Sequence, residues 1–197
     1  MSLWLDGALP SYTYLMGELS SYQLIGEAEV SSLTMPFMQK VLVPQGSKII
    51  LIGDLHGDID AFDAIFKQLK KLAYCDEAGR FLSADCYLVF LGDYGNRKPG
   101  GIELITRLCE LFIDNPGQVF LVRGNHEFAI SNRFFRQRHR ERNEAHLGIT
   151  TFLDELEEAF PGYTYPDLLY WYDYLPVFVT LGSVDKKGKK RFLGCSH

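Results

Sequence analysis

The chain has 197 residues, 47% of them hydrophobic and 23% charged, with a formal net charge of −5. That length suits one well-buried core and leaves little room for two full domains, and the balance of apolar to charged residues is ordinary for a globular protein. The negative charge speaks against a nucleic-acid binder or a protein drawn to anionic membranes, since both need a basic surface.

No apolar run approaches the length that crosses a bilayer. Met1–Asp6 lacks the basic start and long apolar stretch of a secretory signal. Cys75, Cys86, Cys109 and Cys195 show neither CxxC spacing nor a disulfide rhythm, so they are expected as reduced, buried small apolar residues of a cytoplasmic protein.

Residues 1–46 read as a lead-in of unknown role, with β-like pieces at Tyr22–Ile25 and Val41–Val43. Residues 47–197 read as a single domain. Ile49–Ile52 is a β-branched run ended by glycine, the pattern of a strand covered on both faces. Ile59, Phe62, Ile65, Phe66, Leu69 and Leu72 then follow helical spacing, leaving Lys67, Lys70 and Lys71 outside. Cys86–Leu91 predicts the next strand, Ile102, Ile105, Leu108, Leu111 and Phe112 a second amphipathic helix, and Val119–Val122 a third strand. This β-α-β-α-β order predicts an α/β fold of parallel strands joined by right-handed crossovers, with polar groups gathered beyond the strands' carboxyl ends.

Asn132–Arg142 predicts a charged helix with Phe134 and Phe135 on its inner face, and Thr151–Phe160 a further one with Phe152, Leu156 and Phe160 inward. Glu141 and Glu144 break up the arginines, so a solvated helix face outweighs a polynucleotide site. His139 and His146 read as exposed polar residues, and Tyr163, Tyr165, Tyr170, Trp171, Tyr172 and Tyr174 as core and rim packing. Val177–Leu181 and Arg191–Gly194 predict two strands joined by the polar turn Asp185–Lys189.

Three short blocks follow the predicted strands: Gly53–Asp58, Gly92–Arg97 and Gly124–Glu127. A fourth, Gly194–His197, follows the last. Each sets oxygen or imidazole donors at a strand end, which is what a pair of hydrolytic cations needs. Asp54 and His56 alternate by two, so in an extended segment both leave on one side and can grip one cation. Asp93 can bridge two cations, Asn125 offers an amide oxygen to the second, and His197 an imidazole nitrogen. Arg97 suits phosphate oxygens because a guanidinium fork matches their geometry. His126 suits protonation of a leaving oxygen, since imidazole titrates near neutral pH. Capping by Asp and Asn would explain one or two of these positions, but not the two histidines. Arg123 is left out as a structural residue, and Glu127 reads as a buried hydrogen-bond partner or cap.

In that order GDxHG, GDxxxR and GNHE resemble the signature of calcineurin-like metallophosphoesterases. Arg123-Gly124-Asn125-His126-Glu127 is closest to the phosphoprotein phosphatase branch of that superfamily. The resemblance runs from about residue 48 to the end and implies a β-sandwich flanked by helices as the catalytic domain. It implies two divalent ions (manganese, iron or zinc), with Asp54 and His56 on the first, Asp93 bridging, and Asn125 and His197 on the second. It further implies Arg97 on the phosphate and His126 as leaving-group acid. The activity implied is hydrolysis of phosphomonoesters on Ser, Thr or Tyr of proteins, by direct attack of a metal-activated hydroxide.

Three departures stand out. Asn96 replaces the aspartate that supports the acid histidine in the branch, removing the charge that raises the imidazole pKa. Asp58 stands where many eukaryotic relatives carry glutamine. A further metal histidine and phosphate arginine of the family fall beyond His197, so a C-terminally incomplete catalytic domain is expected. Two rival readings stay open: a phosphodiesterase or dinucleoside polyphosphate hydrolase of the same superfamily, and an inactive scaffold that only binds phosphorylated partners. The wording GDYGNR also resembles phosphatases that intracellular bacteria export into host cells.

Overall fold

The computed structural model describes residues 38–162, 171, 172 and 174–197. Tyr22–Ile25, Tyr163, Tyr165 and Tyr170 lie outside the described residues. Strands β1 (Met38–Leu42), β2 (Lys48–Ile52), β3 (Cys86–Phe90), β4 (Val119–Leu121), β5 (Phe178–Val184) and β6 (Lys190–Cys195) form two three-stranded sheets. The first has the order β2-β3-β4 and is parallel throughout, with Ile52 opposite Phe90 and Phe90 opposite Leu121. The second has the order β1-β5-β6, with β1 parallel and β6 antiparallel to β5. Strand β1 lies inside the segment read as a lead-in and is hydrogen-bonded along β5.

The sheets pack face to face. Tyr87, Val89, Phe120 and Val122 of the first meet Val179, Leu181 and Cys195 of the second in one buried cluster. Side chains alternate across a strand, so Leu88 and Phe90 of β3 point the other way, and both are fully buried. There Phe62 of helix α1 (Ile59–Lys71) stacks on Phe90 with ring centroids 6.3 Å apart. A strand covered on both faces needs an unbroken apolar run, and Cys86–Phe90 supplies one. The expected sandwich with flanking helices is therefore present.

Helix α1 is capped by Asp58, whose Oδ1 accepts from the Ala61 N–H at 3.0 Å and whose carboxylate also pairs with Lys98. Helix α2 (Gly101–Asp114) buries Leu104, Ile105, Leu108 and Leu111. Helix α3 (Ala129–Glu141) is tied to α4 (Phe152–Ala159) by its arginines: Arg136 Nε and Arg140 donate to Asp154 Oδ1 at 2.6 and 3.0 Å.

Four expectations need correcting. Arg136, its side chain 19% exposed, is drawn in to Asp154 and Glu157 of α4, while Arg133, Arg138 and Arg140 keep the expected solvated face. Phe134 is 66% exposed, because the turn of α3 that faces inward carries Phe135, against the His126 ring at 5.1 Å. His139 is buried, with Glu144 Oε2 3.5 Å from its Nδ1. Phe160 is only half-buried, so Phe152, Leu153 and Leu156 form the inner face of α4. The four cysteines are free and buried, as expected.

Candidate metal centre

The three motif loops leave neighbouring parallel strands on the same side and continue the ladder for a few residues. Leu91 N donates to Ile52 O at 2.8 Å, and Val122 N to Phe90 O at 2.8 Å. Beyond the strands, His56 N donates to Asp93 O at 2.8 Å and Gly57 N to Tyr94 O at 2.7 Å, which ties the first loop to the second. Gly92 and Gly124 join the second to the third by close approach. A Cβ on Gly92, at φ +108°, would stand 2.3 Å from Gly124 N, and a Cβ on Gly124 would stand 2.3 Å from Asp93 Oδ1. Only glycine fits either place.

Glu127 closes this junction from below. It is fully buried and accepts from Asp93 N at 2.6 Å and Gly124 N at 2.8 Å through Oε2, and from Tyr94 N at 2.8 Å through Oε1. Burial pushes its carboxyl up to about 7 against the pull of those N–H groups. It is a structural anchor, the buried hydrogen-bond partner that the sequence predicts. His56, Asp93, Asn96 and Arg97 all take positive φ, from 48° to 80°. Such backbone is costly for residues with a Cβ and concentrates where a site dictates geometry.

Asp93 is the hub. Its Oδ1 accepts from His126 N at 3.0 Å, while Oδ2 faces His56 Nε2 at 3.5 Å, His197 Nε2 at 3.5 Å and His126 Nε2 at 3.9 Å. Asp54 reaches the same place, 3.7 Å from His56 Nε2 and 3.7 Å from His197 Nδ1. Asn125 Oδ1 is 2.8 Å from His197 Nε2. Asp54, His56, Asp93, Asn125, His126 and His197 are thus drawn from four loops to one spot.

Two features test whether this set fits cations. His56 Nδ1 lies 3.0 Å from the Gly95 carbonyl and must donate to it, which leaves Nε2 as a lone pair; that nitrogen is buried and makes no hydrogen bond. A buried acceptor aimed at two carboxylates is an unmet need that a cation meets. The Asn125 amide lies between Asp93 and His197: with its nitrogen inward it donates to Asp93 at 3.0 and 3.1 Å, and with its oxygen inward it can serve a cation. Donor atoms of Asp54, Asp93 and His197 all lie within 4.8 Å of one another, as do those of His56, Asp93 and His126. Carboxylate, imidazole and amide oxygen together suit manganese, iron or zinc.

Arg97 is exposed, its backbone clamped to Thr150 by N–H to carbonyl bonds of 2.7 and 3.1 Å in both directions. Asn96 is buried with its Nδ2 3.0 Å from His126 Nδ1. Burial holds the His126 imidazole below its ordinary value, against the opposing pull of Asp93. Arg123 is not among the converging groups: its Nε donates to Leu175 O at 3.1 Å and its guanidinium lies 5.0 Å over the Phe128 ring. Sequence reasoning missed Asn132, fully buried in α3 and bonded to Asn96 at 3.0 Å. A lone amide in a charged helix gives no periodic signal.

A parallel sheet whose loops converge on an Asp-His-Asp-Asn-His set beside an exposed arginine defines a metal-dependent phosphoesterase architecture. A family model for calcineurin-like phosphoesterases matches residues 47–197, and the chain belongs to that family. It is 30% identical over 141 residues to the serine/threonine-protein phosphatase rdgC of Drosophila melanogaster, covering 70% of this chain and 20% of that protein. It is 27% identical over 115 residues to serine/threonine-protein phosphatase 5 of Arabidopsis thaliana, covering 58% of this chain and 20% of that one. The chain thus spans about a fifth of the length of these curated relatives. A solved protein serine/threonine phosphatase from Saccharomyces cerevisiae superposes with a TM-score of 0.55 at 20% identity, over 91% of this chain and 48% of that one, a likeness of fold. Among the described residues no helix is long and apolar enough to cross a membrane.

Proposed function

We propose that the chain carries the metal-binding part of a phosphoprotein phosphatase, hydrolysing phosphomonoesters on protein side chains. The observation that carries this reading is His56 Nε2, buried without a hydrogen bond between Asp54 and Asp93. Asp54, His56 and Asp93 would hold one divalent ion, and Asp93, Asn125 and His197 a second. When bound, such a pair acidifies water and clamps phosphoryl oxygens for in-line displacement.

The chain's own groups do the rest. Asp93, at 2% exposure, is itself shielded from solvent, so its charge is little screened. Arg97 offers a guanidinium fork to the phosphoryl oxygens, where negative charge spreads in the transition state. His126 presents Nε2 beside the hub, within reach of the ester oxygen, and Asn96 orients its ring from behind. The serine/threonine phosphatases among the relatives support a phosphoprotein substrate.

The test is hydrolysis of p-nitrophenyl phosphate and phosphopeptides by the manganese-loaded chain. Cyclic nucleotides and dinucleoside polyphosphates serve as the competing substrates. Asp54→Asn and His126→Ala should each lower turnover strongly. Preferred cleavage of a diester or of a polyphosphate would reassign the substrate, and unchanged turnover in both variants would sink the assignment of the site.

A further inference from the structure

The backbone of the second motif loop is held where side chains seldom go. Asn96 and Arg97 have φ angles of +64° and +80°, both in the left-handed region. Asparagine tolerates that region, but arginine rarely enters it unless its surroundings impose it. What imposes it is the segment of residues 150–155, which leads into α4 and forms its first turn.

This segment grips residues 95–102 at successive levels. Thr150 exchanges two backbone hydrogen bonds with Arg97, at 2.7 and 3.1 Å. The Phe152 N–H donates to Asn96 Oδ1 at 2.9 Å. The Phe152 ring is fully buried and fills the space beside two glycines: a Cβ on Gly95 would stand 3.1 Å from it, and one on Gly101 2.8 Å. Glu155 Oε2 accepts from Gly101 N at 2.8 Å and from Ile102 N at 3.3 Å. The segment is anchored in turn. Thr151 caps α4 by accepting from Asp154 N at 3.2 Å, and the Asp154 carboxylate receives Arg136 and Arg140 of α3.

Arg97 lies between two residues tied to the metal centre. Asn96 Nδ2 is 3.0 Å from His126 Nδ1, and Lys98 N donates to His56 O at 3.1 Å. The Arg97 side chain is exposed, so its reach is set by the backbone that carries it. We infer that residues 150–155 are a strap that fixes where Arg97 can meet a phosphoryl group, which makes Phe152 and Glu155 positioning residues. With Arg97 on the phosphoryl oxygens, as in the hydrolase reading on which this rests, both act at a distance from the reacting atoms. Their effect on turnover must pass through Arg97, and that separates them from residues that merely stabilise the fold.

The test is a double-mutant cycle on p-nitrophenyl phosphate with the manganese-loaded chain. Glu155→Ala removes the acceptor from Gly101 and Ile102 and should lower kcat/KM by ~10-fold, within the ~10²-fold that a misplacement of about 1 Å can cost. In an Arg97→Ala background the same change should cost less than ~2-fold, because changes that act through one group do not add. Glu155→Gln should recover most of the loss: its oxygen serves both N–H groups, and its NH2 replaces Oε1, which is buried without a hydrogen bond. Manganese bound per chain should match the parent in Glu155→Ala.

Equal losses in the two backgrounds, no recovery with glutamine, or lost manganese would each overturn the inference, since each marks a general structural role. If Glu155→Ala does not fold, Phe152→Leu enters the same cycle with the same expectation. Hydrogen exchange reads the strap in the parent alone: the Arg97 amide, bonded to Thr150 O, should exchange as slowly as that of Phe152. An Arg97 amide that exchanges like a free loop amide defeats the strap whatever the variants do. A parent that cleaves no ester defeats the hydrolase reading and the role of Arg97 with it, whereas hydrolysis with an additive cycle defeats the strap alone.

Discussion

Replacing Glu127 by glutamine changes almost no volume and removes one acceptor. The two oxygens of Glu127 receive three backbone N–H groups, two at Oε2 and one at Oε1. A glutamine keeps the better-used oxygen for Asp93 and Gly124 and turns its NH2 on the Tyr94 N–H, which lies 2.8 Å from the present Oε1. One buried donor is then orphaned, at about 1–3 kcal/mol. For a chain of this size that lowers Tm by roughly 2–12 °C. Glu127→Ala orphans all three donors and leaves a void, so it should cost more, about 3 kcal/mol at the least. The assay is urea unfolding of parent and both variants at pH 8, above the raised value of about 7 for this carboxyl. The slope of the unfolding curve should stay constant while the midpoint falls in the order parent, glutamine, alanine. A glutamine variant within about 0.5 kcal/mol of the parent, the ordinary range of a surface change, would refute the reasoning, because the three bonds would then carry no weight.

Loss of the first imidazole should show in metal content: His56→Gln removes the lone pair at the hub, and zinc bound per chain after dialysis should fall below that of the parent, read by atomic emission. Arg97→Ala should lower kcat/KM for p-nitrophenyl phosphate by about 10²-fold, the scale of losing one donor to transition-state charge, with thermal unfolding little changed because the side chain is exposed. Glu155 supplies a pH prediction. It caps the start of α2, accepting from Gly101 N at 2.8 Å and Ile102 N at 3.3 Å, and burial pushes its carboxyl from 4.5 up to about 7. A raised acid binds its proton more tightly when folded, so its contribution is greatest below 4.5 and is lost as pH rises to about 7. The unfolding free energy of Glu155→Gln should show a shallower fall than the parent's across that window.

Much of the frame was legible because its strands are buried on both faces. Leu88, Val89 and Phe90 are all fully buried, so their run carried no alternation to misread, and glycines marked where each strand ended. The ligand set was legible for a related reason: Asp54, His56, Asp93 and Asn125 follow strand ends directly, and parallel strands bring such ends together. What depends on the packing of one helix on another was not legible. Whether Phe134 or Phe135 turns inward depends on where α3 starts, three residues before the expected Asn132. His139 is buried beside Glu144, a residue beyond the helix itself. The role of Asn132 arises from bonds to Asn96 and two carbonyls, partners that no spacing within α3 announces.

Ile52, Phe90 and Leu121 stand abreast across the first sheet, and the ligand-bearing loops depart from just beyond them. Helices α1 and α2 return the chain between these strands without supplying any ligand. Whole turns inserted in either helix should therefore be tolerated by the centre, as slack in a rope leaves its moorings in place. A slip of β3 by one residue would turn its inward side chains outward and carry Asp93 out of reach. The centre's evolutionary freedom lies in its crossovers, and its rigidity lies in a hydrogen-bond ladder only a few rungs long.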